Sequence, residues 1–348
     1  MNSTLIIPAA GLSTRYGGLR PKWLFTDPTG KLVIEKVIEN IKADQFERVI
    51  FVTLKEFEGK YFNVSILQQI FKKIGDIEIL LLDDRTSSQT DTVVKAIQKG
   101  NIVGPIFIKD CDNYFSVDHN PGQNEVAFVS YVDLGEDPRG KSFIKLDQFS
   151  NVAEIVEKKI ISENFCCGGY AFKSAAEFIK FHGLANPHFD GECYVSNVIF
   201  QMLLAGELIQ GVQASNYVDL GTVEKYQEMK SQYATLFLDF DGVLVRNSSK
   251  FDCPPWKIEP ILDNLHFLKD YLQTRHITLV ISTARPSSEK SKIMQFLNEN
   301  EIVPFKIITD LPHARRIVVN DFAGTNIYPT AEAINIPRNE PKLKDYLK

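Results

Sequence analysis

Two short apolar runs break off abruptly in polar or Gly-containing turns: Leu5–Ala10 before Gly11, and Leu236–Leu238 before Asp239. Each reads as the opening strand of an α/β domain. After the first, strand-like runs at Val49–Thr53, Ile77–Leu82, Ile106–Ile108 and Val126–Tyr131 alternate with amphipathic stretches such as Val33–Ile41 and Val64–Ile74. That alternation predicts βαβ units and a largely parallel sheet. After the second, the amphipathic stretches Ile258–Leu272 and Ser288–Asn298 and the strands Ile277–Ile281 and Arg316–Val319 repeat the logic. The expectation is an α/β chain of two domains, 1–230 and 231–348, each a mainly parallel sheet flanked by helices. The join falls at the polar stretch Gln227–Tyr233, with little free linker.

A length of 348 residues agrees with two domains, at about 150 residues each. With 24% charged and 44% hydrophobic residues the chain is an ordered globular protein. The balance of 39 basic against 44 acidic side chains, a net charge of −5, argues against a broad nucleic-acid or anionic-membrane surface, which needs basic excess. Local basic pockets remain compatible with it. The opening MNSTLIIPAAGL lacks a basic n-region and a long apolar h-region, and no apolar run approaches a membrane span. Five cysteines without a CxxC pair suit a reducing compartment. A cytoplasmic protein is expected, without membrane insertion and without a nucleic-acid partner.

The first candidate chemistry follows the first strand. In Pro8-Ala-Ala-Gly-Leu-Ser-Thr-Arg-Tyr-Gly-Gly-Leu-Arg-Pro-Lys22, small residues let backbone N–H groups approach a phosphate, and Arg15 and Lys22 bring charge to it. Neither GxGxxG nor GxxxxGK[ST] is present. A Gly-rich turn with solvated cations is the plain alternative. The segment resembles the signature loop of the sugar-nucleotide pyrophosphorylases, nucleotidyltransferases with a glycosyltransferase-A-like fold. Ala9, Ala10, Gly11, Arg15, Pro21 and Lys22 carry the likeness, which extends over about residues 4–228.

The resemblance implies roles for later residues in the family's order. Within Ser87-Ser-Gln-Thr-Asp-Thr-Val93, Gln89 would read the base together with Ala10 and Gly11; a plain helix start capped by Thr90 or Asp91 is the alternative. In Lys109-Asp-Cys-Asp-Asn113, at the carboxyl end of a strand, Asp112 matches the metal-binding aspartate, with Asp110 as an assistant or a solvated residue. Asp219, in Tyr217-Val-Asp-Leu-Gly-Thr-Val-Glu224, would return a second carboxylate to the same Mg²⁺. Glu157, Lys158, Gly169 and Glu192 resemble the elements that hold the acceptor phosphate, although the proline usual after Glu-Lys is missing. Solvated charges on a strand edge are the alternative for Glu157 and Lys158.

Past the second opening strand, Asp239 and Asp241 lie two positions apart and project the same way, with Gly242 to turn the chain. Such a pair can supply a nucleophile and an acid/base beside Mg²⁺. The motif Asp-Phe-Asp-Gly-Val resembles the opening motif of the haloacid-dehalogenase-like (HAD-like) phosphatases. By that likeness Asp239 forms an aspartyl-phosphate, Asp241 carries the proton, Thr283 binds the phosphate, and Asp321 joins Asp239 and Asp241 at the metal. Asn320 stands where a second acidic residue is usual, and Lys292, Lys306, Arg315 and Arg316 compete for the family's lysine position. Short spacings leave no room for a large cap.

Together the resemblances imply two Rossmann-like domains, a nucleotidyltransferase fold followed by an uncapped HAD-like fold. The expected function is Mg²⁺-dependent transfer of a nucleotidyl group from a nucleoside triphosphate to a sugar or polyol phosphate, with phosphomonoester hydrolysis in the second domain. A place in surface-polysaccharide (capsule) precursor synthesis goes with it. CTP, UTP and dTTP are all compatible, with a lean to CTP, and so is a homo-oligomer. Two other readings stand beside this one: a HAD-like module that docks or oligomerises without catalysis, and a non-catalytic nucleotide sensor.

Overall fold

β1 (Thr4–Pro8) is buried along its whole length in the computed structural model of this protein, as a strand covered on both faces must be. The structure describes residues 3–13, 20–135, 139–185, 191–321 and 330–347. The chain divides into two compact units, Met1–Tyr226 and Gln227–Lys348.

In the first unit, β2 (Arg48–Leu54), β3 (Ile77–Leu82) and β4 (Ile106–Lys109) run parallel with β1 in the order β4-β1-β2-β3. α1 (Val33–Asn40), α2 (Val64–Phe71) and α3 (Gln89–Lys99) complete the βαβ pattern. α1 buries Val33, Ile34, Val37 and Ile38, the spacing of one helix face. Ser88 caps α3 by accepting from the Asp91 N–H at 3.1 Å, so the cap is neither Thr90 nor Asp91. Thr90 is turned inward instead, its hydroxyl donating to the Cys193 carbonyl at 2.8 Å.

Beyond β4 the topology changes. β5 (Asn113–Ser116) leaves the main sheet, β6 (Glu125–Ser130) joins it, and a turn of helix, α4 (Tyr131–Leu134), follows. The hairpin β7 (Ser142–Leu146) and β8 (Val152–Glu157) leads into β9 (Asn164–Phe172), which runs antiparallel between β4 and β6. α5 (Ala175–Ala185) and α6 (Val195–Leu204) pack together before β10 (Gln210–Gln213) closes the edge beside β6. β11 (Ser215–Asp219) then pairs antiparallel with β5, with Asp219 opposite Asn113. α7 (Val223–Ser231) spans the boundary between the units.

The second unit holds a parallel sheet of β12 (Tyr233–Asp239), β13 (His276–Ser282) and β14 (Lys306–Ile308), with α8 (Leu262–Thr274), α9 (Lys290–Glu299) and α10 (Leu343–Tyr346). Leu238, Phe240, Leu265, Leu268, Ile281, Ile293 and Leu297 form its core. The strand expected at Arg316–Val319 is not formed, and Val319 is 90% exposed. Arg316 donates to the carbonyls of Pro312 and Ala314 at 3.0 and 2.8 Å, a local turn that competes with extended pairing.

Two single substitutions test the packing. A Cβ on Gly169, in β9, would meet Phe115 Cζ at 2.7 Å and Phe107 Cζ at 3.1 Å. Gly169→Ala is expected to cost about 1–3 kcal/mol through overpacking, read as a lowered urea midpoint with unchanged secondary structure. Asn264, 1% exposed, donates to the carbonyls of Val243 and Glu340 and accepts from the Leu343 N–H. Asn264→Ala leaves those groups unpaired and is expected to cost about 3 kcal/mol, seen in thermal unfolding of the second unit.

Candidate active site

A cleft of about 710 Å³ opens where β1 and β4 end, at the carboxyl ends of parallel strands. Ala10, Gly11, Lys22, Gln89, Asp112 and Asp219 border it, as do Glu157, Lys158 and Glu192. Arg15 lies outside the described residues. Gly169 is the exception: it faces Phe115 and Phe107 inside the sheet. Its neighbour Gly168, at φ +90°, is the residue that lies against Asp110 and Asn113.

The β5–β11 ladder brings Asp219 to Asp112, although more than a hundred positions separate them. The Leu220 N–H donates to the Asp112 carbonyl at 2.8 Å, and the Gly221 N–H to Asp219 Oδ1 at 2.8 Å. A Cβ on Gly221 would stand 3.0 Å from Asp112 Oδ2 and 3.0 Å from Asp219 Oδ1. Both carboxylates therefore converge on one small space, which Gly221 keeps open. Two hard carboxylate oxygens facing a cleft fit Mg²⁺, which takes one or two protein carboxylates and completes its shell with phosphate and water. Among the described residues no cluster of three or more His, Cys, Asp or Glu side chains forms a closed metal cage.

Each carboxylate carries a lysine. Lys22 is paired with Asp112, and Lys141 with Asp219 while also donating to the Tyr217 hydroxyl at 3.1 Å. Burial alone would lower the Lys22 pKa, but the Asp112 carboxylate outweighs it and holds the ammonium above its ordinary value. Burial opposes ionisation of Asp112 too, and Lys22 again prevails, so Asp112 sits below the usual carboxylate range. Asp110 goes the other way: burial, then the nearby Asp112 charge, raise it. The Gln89 amide donates to Asp110 Oδ1 at 2.5 Å, which fixes that amide at the cleft wall.

Beneath this loop lies Lys109, fully buried. It donates to Asp110 O at 2.9 Å, Asn113 O at 2.8 Å and Asn113 Oδ1 at 2.5 Å, and stands 4.4 Å over the Phe115 ring. Burial pushes its pKa down to about 8. It holds the 110–113 turn in shape. On the opposite wall, Glu157 accepts from the hydroxyls of Ser142 and, at 2.6 Å, Ser196. Lys158, at φ +56°, donates to the Tyr194 hydroxyl at 2.5 Å. Lys109, Lys141, Tyr194 and Ser196 are additions from the structure; they carry no motif, and only the folded hairpin and α6 bring the last three to the cleft.

The second unit has its own cluster at the end of β12. Asp239 is exposed there; partial burial and then the neighbouring Asp241 raise its pKa. Asp241 is clamped. Thr283 Oγ1 donates to it at 2.9 Å, and the Arg285 guanidinium at 2.8–3.1 Å through both Nε and Nη2. Arg285 is itself 0% exposed and donates to the carbonyls of Trp256 and Lys257 at 2.7 and 2.9 Å. Asp321 is exposed and belongs to no metal cluster among the described residues.

No helix among the described residues is long and apolar enough to cross a membrane. No known family model matches the chain. The bifunctional protein GlmU of Limosilactobacillus fermentum is 23% identical over 233 residues, 62% of this chain and 48% of that protein. The chain thus spans about half the length of this curated relative. Among solved structures, the nucleoside-diphosphate-sugar pyrophosphorylase from Vibrio cholerae RC9 is similar at a TM-score of 0.56 and 17% identity, covering 65% of this chain and 99% of that one. The inositol-1-phosphate CTP transferase from T. maritima is similar at 0.52 and 13% identity, covering 66% and 95%. The UTP-bound UGPase from Acinetobacter baumannii is similar at 0.51 and 15%, covering 66% and 92%. Identities this low speak for fold, over a share of the chain that matches the size of the first unit. That share has the sugar-nucleotide pyrophosphorylase fold of the nucleotidyltransferases.

Proposed function

We propose that the first unit transfers a nucleotidyl group from a nucleoside triphosphate, with CTP the first to try, to a sugar or polyol phosphate and releases pyrophosphate. The convergence of Asp112 and Asp219 around Gly221 carries this reading. Mg²⁺ held by these two carboxylates would neutralise charge on the triphosphate. Ala10 and Gly11 offer a close approach to the nucleotide at the end of β1, and Gln89 borders the same side. Lys22 brings a cation to the phosphate chain, and Arg15 is assigned beside it by resemblance only. Glu157, Lys158 and Glu192, which border the same cleft, orient the acceptor. The acceptor's phosphate oxygen attacks the α-phosphorus as the bond to pyrophosphate breaks, so positioning and charge neutralisation do most of the catalysis. By resemblance, the product belongs to surface-polysaccharide (capsule) precursor synthesis.

For the second unit we propose phosphomonoester hydrolysis: Asp239 as nucleophile, Asp241 carrying the proton, Thr283 on the phosphate, and Asp321 as third metal residue with Asp239 and Asp241. A specific observation favours a second reading, a docking or oligomerisation module without catalysis. The buried Arg285 guanidinium occupies both oxygens of Asp241, and Asp321 lies exposed.

Two experiments on the full chain test these readings. In a thermal-shift panel of CTP, UTP, dTTP, ATP and GTP with Mg²⁺, one pyrimidine triphosphate at 100 times its Kd is expected to add about 2.7 kcal/mol. Asp112→Asn is expected to abolish that shift, and the reading fails if no triphosphate stabilises the wild type. With p-nitrophenyl phosphate and Mg²⁺, Asp239→Asn is expected to lose about a hundredfold in rate or more if the second unit is a phosphatase. Equal, negligible rates would support the module.

A further inference from the structure

Lys141 has no place in the roles assigned above, yet it sits between the two walls of the cleft. It immediately precedes β7, and its carbonyl accepts from the Lys158 N–H at 2.9 Å, so Lys141 and Lys158 are cross-strand neighbours at the open end of the β7–β8 hairpin. That end also carries Ser142 and Glu157, on the wall assigned to the acceptor. The Lys141 side chain crosses from there to Asp219. Its ammonium stands 5.7 Å over each of the Phe165 and Tyr217 rings. Asp219 is gripped from two sides, Oδ1 by the Gly221 N–H and Oδ2 by Lys141. Lys141 is partly exposed, at 24%, so its head can leave the carboxylate for the open cleft.

We propose that Lys141 is the resident counter-ion of Asp219, which a divalent cation displaces, and that the freed ammonium then binds the acceptor's phosphate. The inference rests on the metal site proposed above. A divalent cation drawn to the space between Asp112 Oδ2 and Asp219 Oδ1 and the Lys141 ammonium on Asp219 Oδ2 share one carboxylate and repel each other, so metal entry weakens the Lys141 contact. Lys22 and Lys141 pair with different members of the Asp112–Asp219 pair. The Lys22 N–H donates to Ser13 Oγ at 2.9 Å, in the segment after β1 where the triphosphate is assigned; Lys141 is the backbone partner of Lys158 on the hairpin. Displacement from Asp219 therefore delivers a positive charge to the acceptor's wall when the metal makes the cleft competent. Lys141 is a positioning and specificity residue, selecting an acceptor that carries a phosphate rather than a neutral sugar or polyol.

Mn²⁺ and inorganic phosphate are the probes, used on the full chain without nucleotide. Lys141→Met keeps the stem and removes the competing charge. It is expected to bind Mn²⁺ about tenfold more tightly by electron paramagnetic resonance titration, within the Coulomb energy of one neighbouring unit charge. With Mn²⁺ saturating, thermal stabilisation by inorganic phosphate is expected to be smaller in Lys141→Met than in wild type. Lys141→Arg, which keeps the charge, is expected to retain the wild-type Mn²⁺ affinity, and Lys158→Met, whose ammonium pairs with Tyr194, to leave it unchanged. Unchanged or weaker Mn²⁺ binding by a folded Lys141→Met overturns the proposal, as does equal phosphate stabilisation in the two proteins or Mn²⁺ binding in neither. If Asp112→Asn leaves Mn²⁺ binding of the wild-type background untouched, the metal site itself has been misassigned, and that failure is separate.

Discussion

The short ladder between β5 and β11 is the constraint on which the first unit's chemistry depends. It sets Asp219 opposite Asn113, and so places a carboxylate from near the end of the unit against the loop that follows β4. Like charges held this close repel, and the fold answers with lysines. Asp112 has Lys22, Asp219 has Lys141, and Lys109 lies under the turn between Asp110 and Asn113. Three carboxylates and three ammonium groups leave the cleft close to neutral before any ligand enters. A dication arriving with a triphosphate offsets part of its negative charge, so the pair upsets that balance less than the triphosphate alone.

How far this could be read in advance varies by residue. The acidic pair after β4 was legible because carboxylates at the carboxyl end of a parallel strand face the ligand crevice, and Asp219 through the resemblance of Asp219-Leu-Gly-Thr222 to a pyrophosphorylase element. Lys141 was not, since a lone lysine before a strand is ordinarily a solvated one, and only the crossing of the hairpin over β11 gives it a partner. Gly169 shows a different limit. Successive residues of a strand face opposite sides, so the choice between Gly168 and Gly169 decides between the acidic loop and the core, and a motif centred on the pair cannot make it. The cap of α3 fell to Ser88 because Thr90, the other hydroxyl nearby, is drawn to the Cys193 carbonyl by tertiary packing.

In the second unit the apolar pattern located β12, β13, α8 and α9 but failed at Arg316–Val319. That run has the β-branched content of a strand, and Ile317, Val318 and Val319 are 68%, 57% and 90% exposed. Propensity for extended structure expresses itself only where a neighbouring strand completes the ladder. Here the adjoining arginine satisfies local carbonyls instead.

Both units place two aspartates, two positions apart, at the carboxyl end of a parallel strand, and in both a basic side chain holds one of the two. The holders differ in a way that bears on chemistry. Lys22 is partly exposed and bonded to a single carboxylate, so a competing cation can take its place. Arg285 is inaccessible, engages both oxygens of Asp241, and is anchored by two backbone carbonyls. A guanidinium does not surrender its proton, and breaking such a buried pair by removing one partner costs about 3–5 kcal/mol. Asp241 is thereby held in place through both of its oxygens. A general acid must present a carboxyl oxygen to the group it protonates, and here both oxygens of Asp241 are engaged, while Asp239 beside it is free of the clamp and raised in pKa. Hydrolysis in this unit therefore requires Arg285 to release Asp241 when phosphate binds, or a proton path that bypasses Asp241. The permanent clamp is what a retained fold without turnover would show.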